Sequence, residues 1–138
     1  MAKILGISGS PVKNSNTDTL IKTIMDAAEF KQDFIKLSNI EVAPCRACKG
    51  CVDTNQCIIN DDFKWLSKKI LDADAIVLGS PVMYGDVSAF TKAFVERLWS
   101  LRHVKLLTRG KIGATVVVGW SWTNEVSKWL NYILMIVG

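Results

Sequence analysis

The chain has 138 residues, 49% hydrophobic and 22% charged, with 17 basic and 13 acidic side chains giving a net charge of +4. A chain of that size suits one core, and its composition excludes intrinsic disorder. The small charge, spread along the whole sequence, excludes a dominant polyanion partner, and no run of about 18 apolar residues is present to form a transmembrane helix.

The N-terminus passes from Met1-Ala2-Lys3 into a short buried strand, Lys3–Ile7. Its apolar stretch is too short for a signal peptide, so a cytoplasmic location is expected, with thiols kept reduced. The turn Ser8-Gly9-Ser10-Pro11 follows. A helix is predicted from about Asn16 to Phe30, with Leu20, Ile21, Ile24, Met25 and Ala28 at helical spacing and Asn16 or Thr17 as its cap. Asp33–Leu37 reads as a second strand. A loop from Ser38 to about Asn60 then carries every cysteine, and loops of that length in compact domains are usually functional.

Asp61–Asp62 can cap the next helix, whose buried side is Phe63, Leu66, Ile70 and Leu71. Ala75–Gly79 is a continuous apolar run and reads as a central parallel strand. The turn Ser80–Asp86 leads to a helix from about Ser88 to Leu101. The basic segment Arg102, His103, Lys105, Arg109 and Lys111 reads as a solvated loop rather than a nucleic-acid patch. Gly113–Gly119 is another buried strand. A last helix begins near Asn124 and merges into the apolar end, with a further strand conceivable from Met135. This alternation predicts an α/β fold, a doubly wound parallel sheet with helices on both faces and right-handed crossovers.

In such sheets ligands bind beyond the carboxyl ends of the strands, where three turns fall here. In the first, Ser8 to Thr17, glycine allows close backbone approach and the helix start offers free N–H groups and a positive dipole end, which suits a phosphate. It is neither a Walker A loop nor G-x-G-x-x-G. In the second, Pro81-Val82-Met83-Tyr84-Gly85, an aromatic and a flexible backbone can border a flat ring. In the third, Gly119 and Trp120 begin a loop with two tryptophans suited to a ring cofactor or a subunit interface.

The most specific motif is Cys45-x2-Cys48-x2-Cys51-x5-Cys57. Three thiolates at two-residue spacing can each meet a different iron of a cubane, the fourth arriving after a short excursion. Structural zinc generally draws two separated pairs, and here the third cysteine interrupts that pairing. The spacing favours the cubane and leaves zinc and unligated redox thiols as alternatives.

Taken together, Gly6-Ile7-Ser8-Gly9-Ser10-Pro11, Asn14-Ser15-Asn16-Thr17, the cysteine run followed by Asp61-Asp62, and Gly79 through Ser88 resemble the iron–sulfur flavoproteins, within the wider NAD(P)H-dependent FMN reductases. The resemblance covers essentially the whole chain. It implies a flavodoxin-like fold over residues 1–138 as one FMN-binding domain, with an iron–sulfur loop at 44–60 after the second strand. It also implies one FMN and one 4Fe-4S cluster per chain, in a homodimer or homotetramer. By position, Ser8, Ser10, Asn14, Asn16 and Thr17 would hold the FMN phosphate, Pro81, Val82, Met83, Tyr84 and Gly85 would border the isoalloxazine, and Cys45, Cys48, Cys51 and Cys57 would ligate the cluster.

Two departures stand out. Where the wider family often carries an arginine after Ser-Pro, this chain has Val12 and Lys13. Similar proteins also continue beyond the position of Gly138 through a last strand and helix, so a fragment, or a partner subunit over the exposed edge, is expected.

The implied function is electron transfer from a ferredoxin-like one-electron donor through the cluster to FMN and on to a small acceptor such as oxygen, peroxide or a quinone. No side chain is assigned as acid or nucleophile, because the cofactors carry the chemistry. An NAD(P)H-dependent FMN or quinone reductase without a cluster is the second reading. A non-catalytic electron carrier or metal-stabilised interaction module is the third.

Overall fold

The structure is a computed structural model that describes residues 1–137. In chain order its elements are β1 (Lys3–Ser8), α1 (Asn16–Asp26), β2 (Lys31–Lys36), α2 (Phe63–Asp72), β3 (Ala75–Met83), β4 (Asp86–Val87), α3 (Ala89–Leu98), β5 (Ile112–Val118) and α4 (Thr123–Val137). Short 3₁₀ turns follow β2 at Leu37–Asn39 and α3 at Trp99–Leu101. β1 lies parallel between β2 and β3, and β5 lies parallel on the far side of β3. β4 is a two-residue antiparallel return on the tip of β3. This is the parallel sheet expected from the alternation and the flavodoxin-like fold implied by the resemblance.

Both sheet faces are covered, which is why β1 and β3 read as unbroken apolar runs. On one face Ile4, Val77 and Val116 pack against Ile21 and Met25 of α1. Gly6 and Gly79 clear the space: a Cβ on either would come within 2.7 Å or less of an Ile21 side-chain carbon. On the other face Leu5, Ile7, Ile35 and Leu78 meet Leu66 and Ile70 of α2, Phe94 and Leu98 of α3, and Leu130 of α4. Each such fully buried side chain contributes about 2 kcal/mol relative to exposure.

Several boundaries differ from expectation. The cap of α1 is Ser15, not Asn16 or Thr17; its hydroxyl accepts from the Asp18 N–H while the Asp18 carboxylate accepts from the Ser15 N–H. This reciprocal capping box satisfies two donors at once. β3 runs on through Met83, so Ser80–Met83 is strand rather than turn. No strand begins at Met135. α4 continues to Val137, because Val126, Leu130 and Leu134 recur every four residues along the side packed on β5 and the α2–α3 core. Among the described residues no helix is long and apolar enough to cross a membrane.

Candidate functional site

β1 delivers the chain into the Ser8–Thr17 turn at the carboxyl edge of the sheet. Ser8, Ser10 and Thr17 are buried there, while Asn14 and Asn16 are exposed. The Ser8 hydroxyl donates to Asp18 and accepts from the Ser10 N–H. The Ser10 hydroxyl in turn accepts from the Val12 N–H. Asn14 is left-handed (φ 49°), a conformation asparagine tolerates. Asn16 and Thr17 open α1, so their backbone N–H groups have no partner inside the helix.

Beneath the turn, Lys36 at the end of β2 donates to the Val12 carbonyl at 2.7 Å and to Asp18 at 2.6 Å. Burial would raise the Asp18 carboxyl, but hydrogen bonds from Lys36 and Ser8 outweigh it and hold the group below its ordinary value. The cation under the turn is therefore Lys36, supplied by β2, rather than Lys13 of the turn itself.

At the tip of β3, Tyr84 (φ 55°) and Gly85 (φ 80°) form a two-residue link between the antiparallel pairs Val82–Val87 and Met83–Asp86. Positive φ at both central positions is the I′ hairpin geometry, which matches strand twist. It suits glycine but strains tyrosine, and strain of this kind concentrates at ligand sites. Met83, Tyr84, Trp120 and Trp122 are all exposed. Pro81 and Val82 are half-buried below them.

The three turns are physically joined. Gly9 donates its N–H to the Gly79 carbonyl at 2.8 Å. Ser88, the cap of α3, donates from its hydroxyl to the Gly9 carbonyl at 2.6 Å, and its N–H donates to the Ser80 hydroxyl. A Cβ on Gly9 would overlap Thr91 Oγ1 and reach 3.0 Å from Ser88 Oγ. On the other flank, a Cβ on Gly119 would come 2.6 Å from Val82, and one on Gly85 would touch the Trp122 ring at 3.6 Å. The positions named for a phosphate and those named for a flat ring thus share one rim, with Gly119 and Trp120 at its far side.

The segment between β2 and α2 holds Cys45 and Cys57 half-buried, Cys48 exposed and Cys51 buried, all as free thiols. Ala47 (φ 52°) and Lys49 (φ 59°) are left-handed on either side of Cys48. For residues with a Cβ this costs about 1–2 kcal/mol each. Burial pushes the Cys51 thiol up, a backbone hydrogen bond works the other way, and the charges of Cys57, Cys45 and Cys48 push it further up. Among the described residues no group of three His, Cys, Asp or Glu side chains is set to hold a metal ion. An apolar groove of about 500 Å³ borders Cys45 and Cys48, walled by Trp99, Arg102, Ile133 and Ile136.

This loop is closed at its base. The Asp61 carboxylate accepts from the Ala43 N–H at 2.9 Å and Asp62 from the Glu41 N–H at 2.7 Å. Asp62 makes no side-chain cap on α2, contrary to expectation; only Asp61 reaches that helix start, through the Phe63 N–H. Arg97 of α3, fully buried, clasps Asp61 through two nitrogens at 2.6 and 3.0 Å and donates to the Ala43 carbonyl at 2.9 Å. Asn55, left-handed and buried, accepts from the Val104 N–H and donates to the Lys105 carbonyl. The basic segment read as a solvated loop therefore also anchors the cysteines.

Asp18, Lys36, Asn55, Ser88 and Arg97 were not singled out by sequence reasoning. Ser15-x-x-Asp18 has the capping-box spacing, and Arg97 falls three residues after Phe94 on the apolar stripe of its helix, where a charge is out of place. Lys36, Asn55 and Ser88 carry no comparable local signal.

The sequence profile described as NADPH-dependent FMN reductase matches residues 2–137. An iron–sulfur flavoprotein of Methanosarcina thermophila is 39% identical over 134 residues, which cover 95% of this chain and 70% of that one. An iron–sulfur flavoprotein of Methanocaldococcus jannaschii is 41% identical over 122 residues, covering 86% and 63%. The chain thus spans roughly two thirds of the length of these relatives. Among solved structures, RosB with bound 8-demethyl-8-formylriboflavin-5'-phosphate superposes with a TM-score of 0.81 at 15% identity, over 100% of this chain and 60% of that one. An NADH:FMN oxidoreductase superposes at 0.67 and 20% identity, over 99% and 67%. At these identities the superpositions speak for the fold.

Proposed function

Because the chain belongs to the NADPH-dependent FMN reductase family and, within it, to the iron–sulfur flavoproteins, we propose that it is an FMN-dependent oxidoreductase that relays electrons from a one-electron donor through a 4Fe-4S cluster to FMN. FMN, when bound, takes electrons singly and gives them in pairs, and a cluster supplies them one at a time. The whole chain acts as one FMN-binding unit, with the cluster loop at 44–60.

The observation that carries the reading is the cysteine loop. Four free thiols fall within one loop, Cys48 flanked by two left-handed residues, and the base of that loop is locked by Arg97, Asp61 and Asp62. All four donors are sulfur, the set that suits an iron–sulfur cluster. Cys45, Cys48, Cys51 and Cys57 are assigned as its ligands.

Ser10, Asn14, Asn16 and Thr17 are assigned to the FMN phosphate with the open N–H groups at the start of α1, and Ser8 with them through its hold on the turn. Lys36 supplies the cation that position 12 lacks. Pro81, Val82, Met83, Tyr84, Gly85, Gly119 and Trp120 are assigned to the ring. The exposed aromatics at this rim support a homodimer or homotetramer that shields the ring from water. Arg46, Lys49 and Arg102, exposed near Cys48, support an acidic, ferredoxin-like donor, and the acceptor is a small molecule such as oxygen, peroxide or a quinone.

The test is the iron, acid-labile sulfide and FMN content of anaerobically purified chain. About four iron, four sulfide and one flavin per chain are expected. Flavin with zinc or no metal, together with rapid flavin reduction by NADPH, would replace this reading with a direct NAD(P)H reductase.

A further inference from the structure

We propose that Trp122 is a positioning residue for the flavin ring: by resting its indole on Gly85 it fixes the Tyr84–Gly85 hairpin against the third turn, an inference that rests on the FMN reading above.

Trp122 stands immediately before α4, and its carbonyl accepts from the Val126 N–H at 3.1 Å. That position favours serine, threonine, aspartate or asparagine, whose side chains can cap the helix. The residue is also left-handed, with φ at 55°. Glycine and asparagine adopt that conformation readily, whereas a bulky side chain there is an outlier. Neither the helix start nor the backbone therefore accounts for a tryptophan. The core does not account for it either, because the side chain is 58% exposed. What the indole does meet is Gly85. Its Cδ2, Cε3 and Cγ atoms lie 3.6, 3.7 and 3.9 Å from where a Cβ on that glycine would stand. The ring thus covers the side of Gly85 from which a side chain would project.

The two turns are joined at two levels. At the base, Gly119 backs on Val82 so closely that a Cβ would come 2.6 and 2.7 Å from two of its side-chain carbons. At the tip the joint is Trp122 on Gly85, and both residues are left-handed, as is Tyr84. Strained residues persist where surrounding contacts over-determine them, and they cluster at ligand clamps. A left-handed residue sends its Cβ in a direction that an extended or helical one does not. The strain at Trp122 is therefore what turns the indole toward the hairpin. Gly85 adjoins Met83 and Tyr84, assigned to the ring, while the phosphate positions lie on the turn after β1. Holding the hairpin in place before the ring arrives removes part of the ordering cost of binding. The effect falls on the flat ring system and not on the phosphate.

The experiment titrates FMN and riboflavin, the same ring without the phosphate, into the flavin-free 138-residue chain, following flavin fluorescence. Thermal unfolding of each flavin-free protein is measured beside it. Asparagine accepts the left-handed backbone and can cap α4, so Trp122→Asn should keep or raise the Tm of the parent. It should nonetheless weaken FMN and riboflavin by the same factor, about tenfold, as when the binding-competent hairpin falls to about a tenth of its population. Trp122→Phe, which keeps a ring beside Gly85, should stay within about threefold of the parent. Asn16→Ala, on the phosphate turn, should weaken FMN alone. Because Trp122 acts through Gly85, the loss in Gly85→Ala/Trp122→Asn should fall short of the product of the single losses. A tryptophan that only supports the fold would lower the Tm in Trp122→Asn and leave both flavin affinities at the parent's values. That result would overturn the proposal, as would a loss confined to FMN, equal losses in Trp122→Phe and Trp122→Asn, or a full product in the double variant. Should Trp122→Asn fail to fold, Trp122→Gly is read by the same criteria, and failure of both assigns Trp122 to the fold and rejects the proposal. A parent that binds neither flavin rejects the FMN reading and this inference together.

Discussion

Gly9→Ala tests whether the phosphate turn and the start of α3 are in the contact described. The added Cβ would overlap Thr91 Oγ1 and stand 3.0 Å from Ser88 Oγ, neither of which is the free end of a flexible chain. Ser88 is fixed by its bonds to the Gly9 carbonyl and the Thr91 N–H, so relief requires moving the turn or the helix. Overpacking of this kind costs about 1–3 kcal/mol, and loss of the Ser88–Gly9 hydrogen bond adds about 1 kcal/mol. A destabilisation of about 3 kcal/mol is therefore expected. With an unfolding entropy of about 2.1 cal/mol/K per residue, it lowers the Tm of the 138-residue chain by about 10 °C. Thermal unfolding by circular dichroism, with the flavin removed, measures this directly. Thr91→Ala removes the atom struck, so the double variant should recover about 1 kcal/mol or more relative to the sum of the singles. A Gly9→Ala chain within about 0.5 kcal/mol of the parent, or strict additivity in the double variant, would refute the contact.

Lys36→Met leaves the Asp18 carboxylate buried beside Ser8 without its cation, and a loss of about 3 kcal/mol is expected by urea denaturation, with weaker FMN binding. In the parent the Asp18 carboxyl lies below its ordinary 3.8, so its contribution is complete above that value and drains away as pH falls through the lowered folded value. In Lys36→Met burial dominates and the sign reverses, so the deficit relative to the parent should be largest at neutral pH and shrink on acidification; a deficit independent of pH would argue against the pair. Asn55→Ala strands the Val104 N–H and the Lys105 carbonyl, and should cost about 2 kcal/mol and lower iron retention on dilution. Gly50→Ala is the contrasting case. Its Cβ would meet Ile58 at 2.7 Å, but that side chain is 65% exposed and can swing aside, so a change under about 1 kcal/mol is expected from the same unfolding assay.

The sheet was legible because its strands are covered on both faces and so announce themselves as unbroken runs such as Ala75–Gly79. The helices were legible from Ile21 and Met25, or Leu66 and Ile70, at helical spacing. What escaped was whatever depends on contacts distant in sequence. Lys36 looks like a strand-end lysine until β2 pairs with β1 and brings it under Val12. Asp61 and Asp62 look like caps, but the carboxylates have stronger claims on the Ala43 and Glu41 N–H groups across the cysteine loop. The hairpin at Tyr84–Gly85 was hidden because tyrosine is an unfavourable residue for its first position. Arg97 was hidden by the habit of reading arginine as surface, although it sits on the buried stripe of α3.

Ser88 gives the molecule a division of labour. One hydroxyl serves the floor under the first turn while the adjoining N–H serves the floor under the second, so neither floor can be altered without disturbing the other. The places left open to change are the outward tips, Met83–Tyr84 and Trp120–Trp122, whose side chains are exposed. A chain built in this way can change what its rim presents by substitution at the tips alone, while the shared base beneath them keeps its shape.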